Sequence, residues 1–85
     1  MKEFTYVVTD ENGIHARPAG LLVKAASGYS CEIIIKKGES KADAKRIFSL
    51  MGLGIKNGDE ITVICDGADE SEASKVLESF LRENL

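Results

Sequence analysis

No tryptophan occurs in this chain, and histidine and proline occur once each. There is no run of the roughly 18 apolar residues that a membrane-spanning helix requires. Nor does Met1-Lys2-Glu3 open a signal-peptide pattern, so a cytoplasmic protein without membrane insertion is expected. The two cysteines, Cys31 and Cys65, have no CxxC spacing, no second histidine nearby in sequence and no secretory context. They are expected to be reduced, buried thiols, and neither a metal nor a cofactor is expected. Basic residues are outnumbered, 11 against 14 acidic, for a net charge of −3. A nucleic-acid binder would carry a basic field, and an RNA-binding α+β domain would also need aromatics on an open sheet face, so no nucleic-acid partner is expected. Linkers, low-complexity tracts and repeats are absent as well, which makes residues 1–85 one globular domain.

What is present is a regular alternation of strand and helix patterns. Phe4 to Thr9 alternates Tyr6 and Val8 against Thr5, Val7 and Thr9, and reads as a strand. From Ala16 to Ser27, Ala19, Leu22, Val23 and Ala26 recur at helical spacing, with Gly28 as a stop. Cys31 to Lys36 holds the β-branched run Ile33-Ile34-Ile35; Lys37-Gly38-Glu39 turns it into a return strand from Ser40 to Ala44. A helix of about two turns follows around Ile47, Leu50 and Met51 and ends at Gly52. So short a helix cannot bury Ile47, Phe48 and Met51 together, and part of this cluster should face solvent or a partner. Glu60 to Cys65 supplies the last strand. Asp69, with Glu72 three residues on, caps a final helix whose face is Ala73, Val76, Leu77, Phe80 and Leu81. The order β-α-β-β-α-β-α predicts an α+β fold, an antiparallel sheet covered on one face by helices and wet on the other.

The chemistry concentrates at Gly13-Ile14-His15-Ala16-Arg17-Pro18. Gly13 permits φ > 0, and Pro18 sits well only in the first turn of a helix, so a helix should begin just after His15. The first amides of a helix lack intrahelical acceptors and lie at the positive end of its dipole, a ready anion site. His15 would stand there as a nitrogen nucleophile, and Arg17 offers donors matched to phosphate oxygens. The positive helix end and the guanidinium both disfavour an imidazolium, so a neutral ring is expected. A lone histidine in a small domain is most often a surface or capping residue; its place beside Arg17 and Pro18 at a helix start sets His15 apart as one that can be phosphorylated.

Gly13-Ile14-His15-Ala16-Arg17-Pro18-Ala19, Ser49-Leu50-Met51-Gly52-Leu53-Gly54-Ile55 with Gly58, and Gly67-Ala68-Asp69-Glu70 together resemble the HPr family. These are the histidine-containing phosphocarriers of the phosphoenolpyruvate-dependent sugar phosphotransferase system. The resemblance runs from Phe4 to Leu81 and implies an open-faced β-sandwich of four antiparallel strands and three helices. It further implies that His15 is phosphorylated on its δ1 nitrogen by enzyme I and hands the group to the IIA component of a sugar permease. Arg17 would neutralise the phosphoryl oxygens, and the amides of Ala16 and Arg17 would donate to them. Gly20, Lys24, Ile47, Phe48 and Met51 match the family's docking surface for both partners, with Lys24, Lys45 and Arg46 as a basic rim. The chain would then be a monomeric, stoichiometric carrier, not an enzyme. Two positions depart from the pattern: Gly20 is often alanine in relatives, and Arg46 stands where many carry a serine phosphorylated by an ATP-dependent kinase. The alternative is a regulatory module of the same fold that uses phospho-His15 only as a signal.

Overall fold

The computed structural model describes residues 1–85. The elements are β1 (Lys2–Val7), α1 (Ala16–Ser27), β2 (Glu32–Lys37), β3 (Ser40–Asp43), α2 (Ile47–Met51), β4 (Glu60–Asp66) and α3 (Glu70–Asn84). The four strands make one antiparallel sheet in the order β1-β4-β2-β3. With three helices laid against one face, this is the helix-covered antiparallel sheet that the element order predicted and the open-faced sandwich that the family resemblance implied.

Side-chain alternation decides which face is which. Ile33, Ile35, Ile61, Val63 and Cys65 are each at most 1% exposed and lie on the helix side. Thr5 pairs with Thr62, and Lys36 with Thr62, across the open side. The Ile33-Ile34-Ile35 run is not buried on both sides: Ile34 is half-buried on the open face, opposite Ile64. β1 begins and ends two residues earlier than expected. Val8 lies past its end yet is fully buried, its amide donating to Asp59 O and its carbonyl accepting from Gly58 N.

Each helix is anchored by fully buried apolar side chains: Ala19, Leu22 and Ala26 in α1, Leu50 in α2, and Ala73, Leu77 and Leu81 in α3. Burying a leucine contributes about 1.5–3 kcal/mol, so four such residues dominate helix docking. Val76, expected in the core, is 40% exposed. α3 lies along β1 and β4 on the narrower line Ala73-Leu77-Leu81, and Val76 falls to its flank. Gly28 does close α1, but in a right-handed conformation with φ −75°, so the stop is not a left-handed glycine cap.

The start of α3 corrects a second expectation. Asp69 occupies the cap position but makes no capping bond with its side chain. Its carboxylate accepts instead from the amides of Ser30 (2.8 Å) and Cys31 (2.9 Å), tying α3 to the chain that leaves α1 for β2. Glu70, not Glu72, reaches back, accepting from Gly67 N at 3.1 Å. Beneath this junction Cys31 and Cys65 are free and buried. Burial pushes the Cys31 thiol up to about 11 and raises Cys65 too, so both stay protonated and inert.

The Ser30 amide, then the Cys31 thiol and amide, hold the Asp69 carboxyl down at about 2. An aspartate in the unfolded chain titrates near about 3.9, so this stabilisation is complete above that value and is lost as pH falls through about 2. In chemical denaturation Asp69→Ala should be less stable than the parent at neutral pH, with the gap closing across that acid window. A gap that persists unchanged in acid would show that the ionised carboxylate contributes nothing.

Candidate functional site

The loop between β1 and α1 is built almost wholly from backbone bonds. The amides of Thr9 and Asp10 both donate to Leu85 O, at 2.6 and 2.8 Å, and the Thr9 hydroxyl adds a third bond at 3.0 Å. The Asp10 carboxylate accepts from Asn12 N (2.8 Å) and its carbonyl from Gly13 N (3.0 Å), the self-bonded turn that aspartate favours. Gly13 then takes φ +63°, and a Cβ there would collide with the Ile55 carbonyl oxygen and the Lys56 Cα. The backbones touch because Ile14 N donates to that same Ile55 oxygen at 3.1 Å while the Ile14 side chain enters the core.

This clamp delivers His15 to the N-cap of α1. The residue is extended (φ −107°, ψ −174°), its side chain makes no capping bond and it is exposed. Its carbonyl accepts the first helical bond, from Ala19 N at 2.9 Å. Pro18, in the first turn, has no N–H to offer, and the amides of Ala16 and Arg17 precede any helical acceptor. The Arg17 guanidinium is exposed and enters no ion pair. Asp10, His15, Arg17, Pro18, Leu21 and Asn84 line an open depression of about 320 Å³. Such a setting can hold an anion of phosphate size against a free ring nitrogen.

Beside the depression, α1 and α2 present an uncovered apolar surface. Phe48 is 86% exposed and Met51 38%, while Leu50 between them is fully buried; Ile47 is half-buried. Five residues of helix cannot turn all four inward, which is why the cluster divides. A Cβ on Gly20 would meet Ile47 Cδ1 at 3.8 Å, an ordinary contact, so nothing here requires glycine. Lys24 and Arg46 are exposed at the edges, and Arg46 pairs loosely with Asp43 at 3.6 Å. Lys45 does not join them freely, because its ammonium donates to Tyr29 O at 2.7 Å.

Asp10, Leu21 and Asn84 line the depression without having been singled out in the sequence. Asp10 reads locally as loop polarity and Asn84 as a helix end. Asp10 is set by the local turn through Asn12 and Gly13, whereas Asn84 comes to His15 only through the contact of Leu85 with Thr9 and Asp10, which spans most of the chain.

The clamp makes a prediction about glycine. Left-handed backbone costs a non-glycine residue about 1–2 kcal/mol. Gly38→Ala (φ +60°, open space around it) should lose that much in denaturation experiments and leave the His15 ring resonances in place. Gly13→Ala should lose more and shift them, and equal losses would mean that the contact with Ile55 bears no load.

Comparison with known proteins places this geometry. Residues 2–83 match the family model described as the PTS HPr component phosphorylation site. The phosphocarrier protein HPr of Mycoplasma genitalium is 41% identical over 85 residues, covering 99% of this chain and 97% of that protein. The crystal structure of HPr-C-His from Thermoanaerobacter tengcongensis superposes with a TM-score of 0.94 at 38% identity, over 98% of this chain and 93% of the other. HPr from Bacillus anthracis gives 0.88 at 34% identity, over 94% and 95%. The sheet and helices superpose over nearly the whole of each chain, and the protein belongs to the HPr family of phosphotransferase-system phosphocarriers.

Proposed function

We propose that this chain shuttles a phosphoryl group on His15, taking it from phospho-enzyme I and passing it to the IIA component of a sugar permease. One observation carries the reading: His15 is exposed at the amino end of α1 with its side chain uncommitted, next to unsatisfied amides and an unpaired guanidinium. In the neutral ring with hydrogen on Nε2, the Nδ1 lone pair attacks phosphorus. The bond between phosphorus and the donor breaks, and its electron pair stays with the donor. PO3 arrives on Nδ1 while the Nε2 proton remains where it was. The amides of Ala16 and Arg17 and the Arg17 guanidinium offset the charge on the phosphoryl oxygens during arrival and departure. The return step is the same displacement with the IIA component as acceptor. His15 ends each cycle as it began, so the chain is a stoichiometric intermediate.

Gly20, Lys24, Ile47, Phe48 and Met51 form the surface both partners would grip, an apolar centre flanked by the cations Lys24 and Arg46. Arg46 offers no hydroxyl for a serine-directed kinase, and its positive charge favours an acidic partner where a phosphoserine would repel one.

Incubation with enzyme I and phosphoenolpyruvate should add one acid-labile phosphoryl group by mass, absent from His15→Ala; an unchanged mass with an active enzyme I control would remove the proposal. Phe48→Ala should leave stability within about 0.5 kcal/mol, as for other exposed sites. It should weaken partner binding by about 1 kcal/mol or more in titration calorimetry, as loss of an aromatic anchor does. A large loss of stability instead would place Phe48 in the core.

A further inference from the structure

Among the side chains that line the depression at His15 are one carboxylate, that of Asp10, and one guanidinium, that of Arg17. Asp10 is half-buried and held on three sides: its amide donates to Leu85 O, its carbonyl accepts from Gly13 N and its Oδ1 accepts from Asn12 N. An acid at the rim of an anion site works against the anion. It adds nothing to the binding of a phosphoryl group, and a neutral asparagine could close the same turn. The loop therefore carries a negative charge that its own architecture does not need.

We infer that Asp10 sets the transfer potential of phospho-His15, its fixed negative charge repelling the phosphoryl oxygens and keeping the group easy to give away. The oxygens of a phosphoryl group carry about −1.5 to −2 charges on other phosphorylated side chains, and they are the charge that Asp10 faces here. With Arg17 and the Ala16 and Arg17 amides alone, the site would hold that charge tightly, which suits an acceptor but not a donor. Asp10 offsets part of this attraction in both directions of the cycle. The transfer itself is unaltered in its bonds: the N–P bond forms and breaks as described, and Asp10 neither gives nor takes a proton. It is a positioning residue in the electrostatic sense, acting on the equilibrium through space.

The inference rests on the carrier reading, and its test separates the two. With catalytic enzyme I, the ratio of phosphorylated to free protein is measured at equilibrium against known phosphoenolpyruvate and pyruvate. Asp10→Asn, which keeps the acceptor for Asn12 N, should raise the equilibrium constant about three- to tenfold at low salt, and the gain should shrink at high salt. Asp10→Ser, with a hydroxyl that can also form the turn, should move the constant the same way if the asparagine variant proves unstable. Phosphorylated parent protein with unchanged constants in the variants, or a change that ignores salt, would overturn the role of Asp10 alone. Parent protein that takes up no phosphoryl group would overturn the carrier reading and this inference with it.

Discussion

One carbonyl oxygen, that of Ile55, organises the functional end of the molecule. It accepts from Ile14 N and lies against Gly13, where any side chain would strike it. Ile14 is thereby seated in the core, and the next residue can only emerge at the surface, at the mouth of α1. The exposure of His15 is thus a consequence of what precedes it. On the carrier reading proposed above, a rigid scaffold with one ring on its rim needs little else, because its partners would supply the rest of the chemistry.

The same economy governs α2. A five-residue helix offers one position wholly to the core, and Leu50 takes it. Phe48 and Met51 stay outside because the helix is too short to turn them in. Exposed apolar surface of this kind is a standing hazard in a small protein unless something regularly covers it, and here it adjoins the helix that begins at His15.

Much of this was legible in the sequence because the deciding interactions are local. Turn glycines, helix periodicity and strand alternation gave all seven elements, and Pro18 located the start of α1 to the residue. The failures share a physical cause. Asp69 looked like a cap because the capping-box spacing is local, whereas its carboxylate is claimed by amides almost forty residues away. Val76 fitted the helical stripe, but the line along which α3 meets the sheet is set by β1 and β4. Asn84 joined the site only through the tertiary bonds that Thr9 and Asp10 donate to Leu85 O. Periodicity says which side of a helix is apolar; it does not say where the neighbour lies.

The bonds from Leu85 O to Thr9 and Asp10 have a kinetic consequence. Closing a loop costs entropy that grows only as (3/2)RT ln n with its length, and the pairing of β1 with β4 has already met most of that cost before Leu85 reaches Thr9 and Asp10. The wall of the depression is therefore completed only once the last turn of α3 has docked. Opening of that turn would loosen the wall of the depression beside the imidazole while leaving the four-stranded sheet intact.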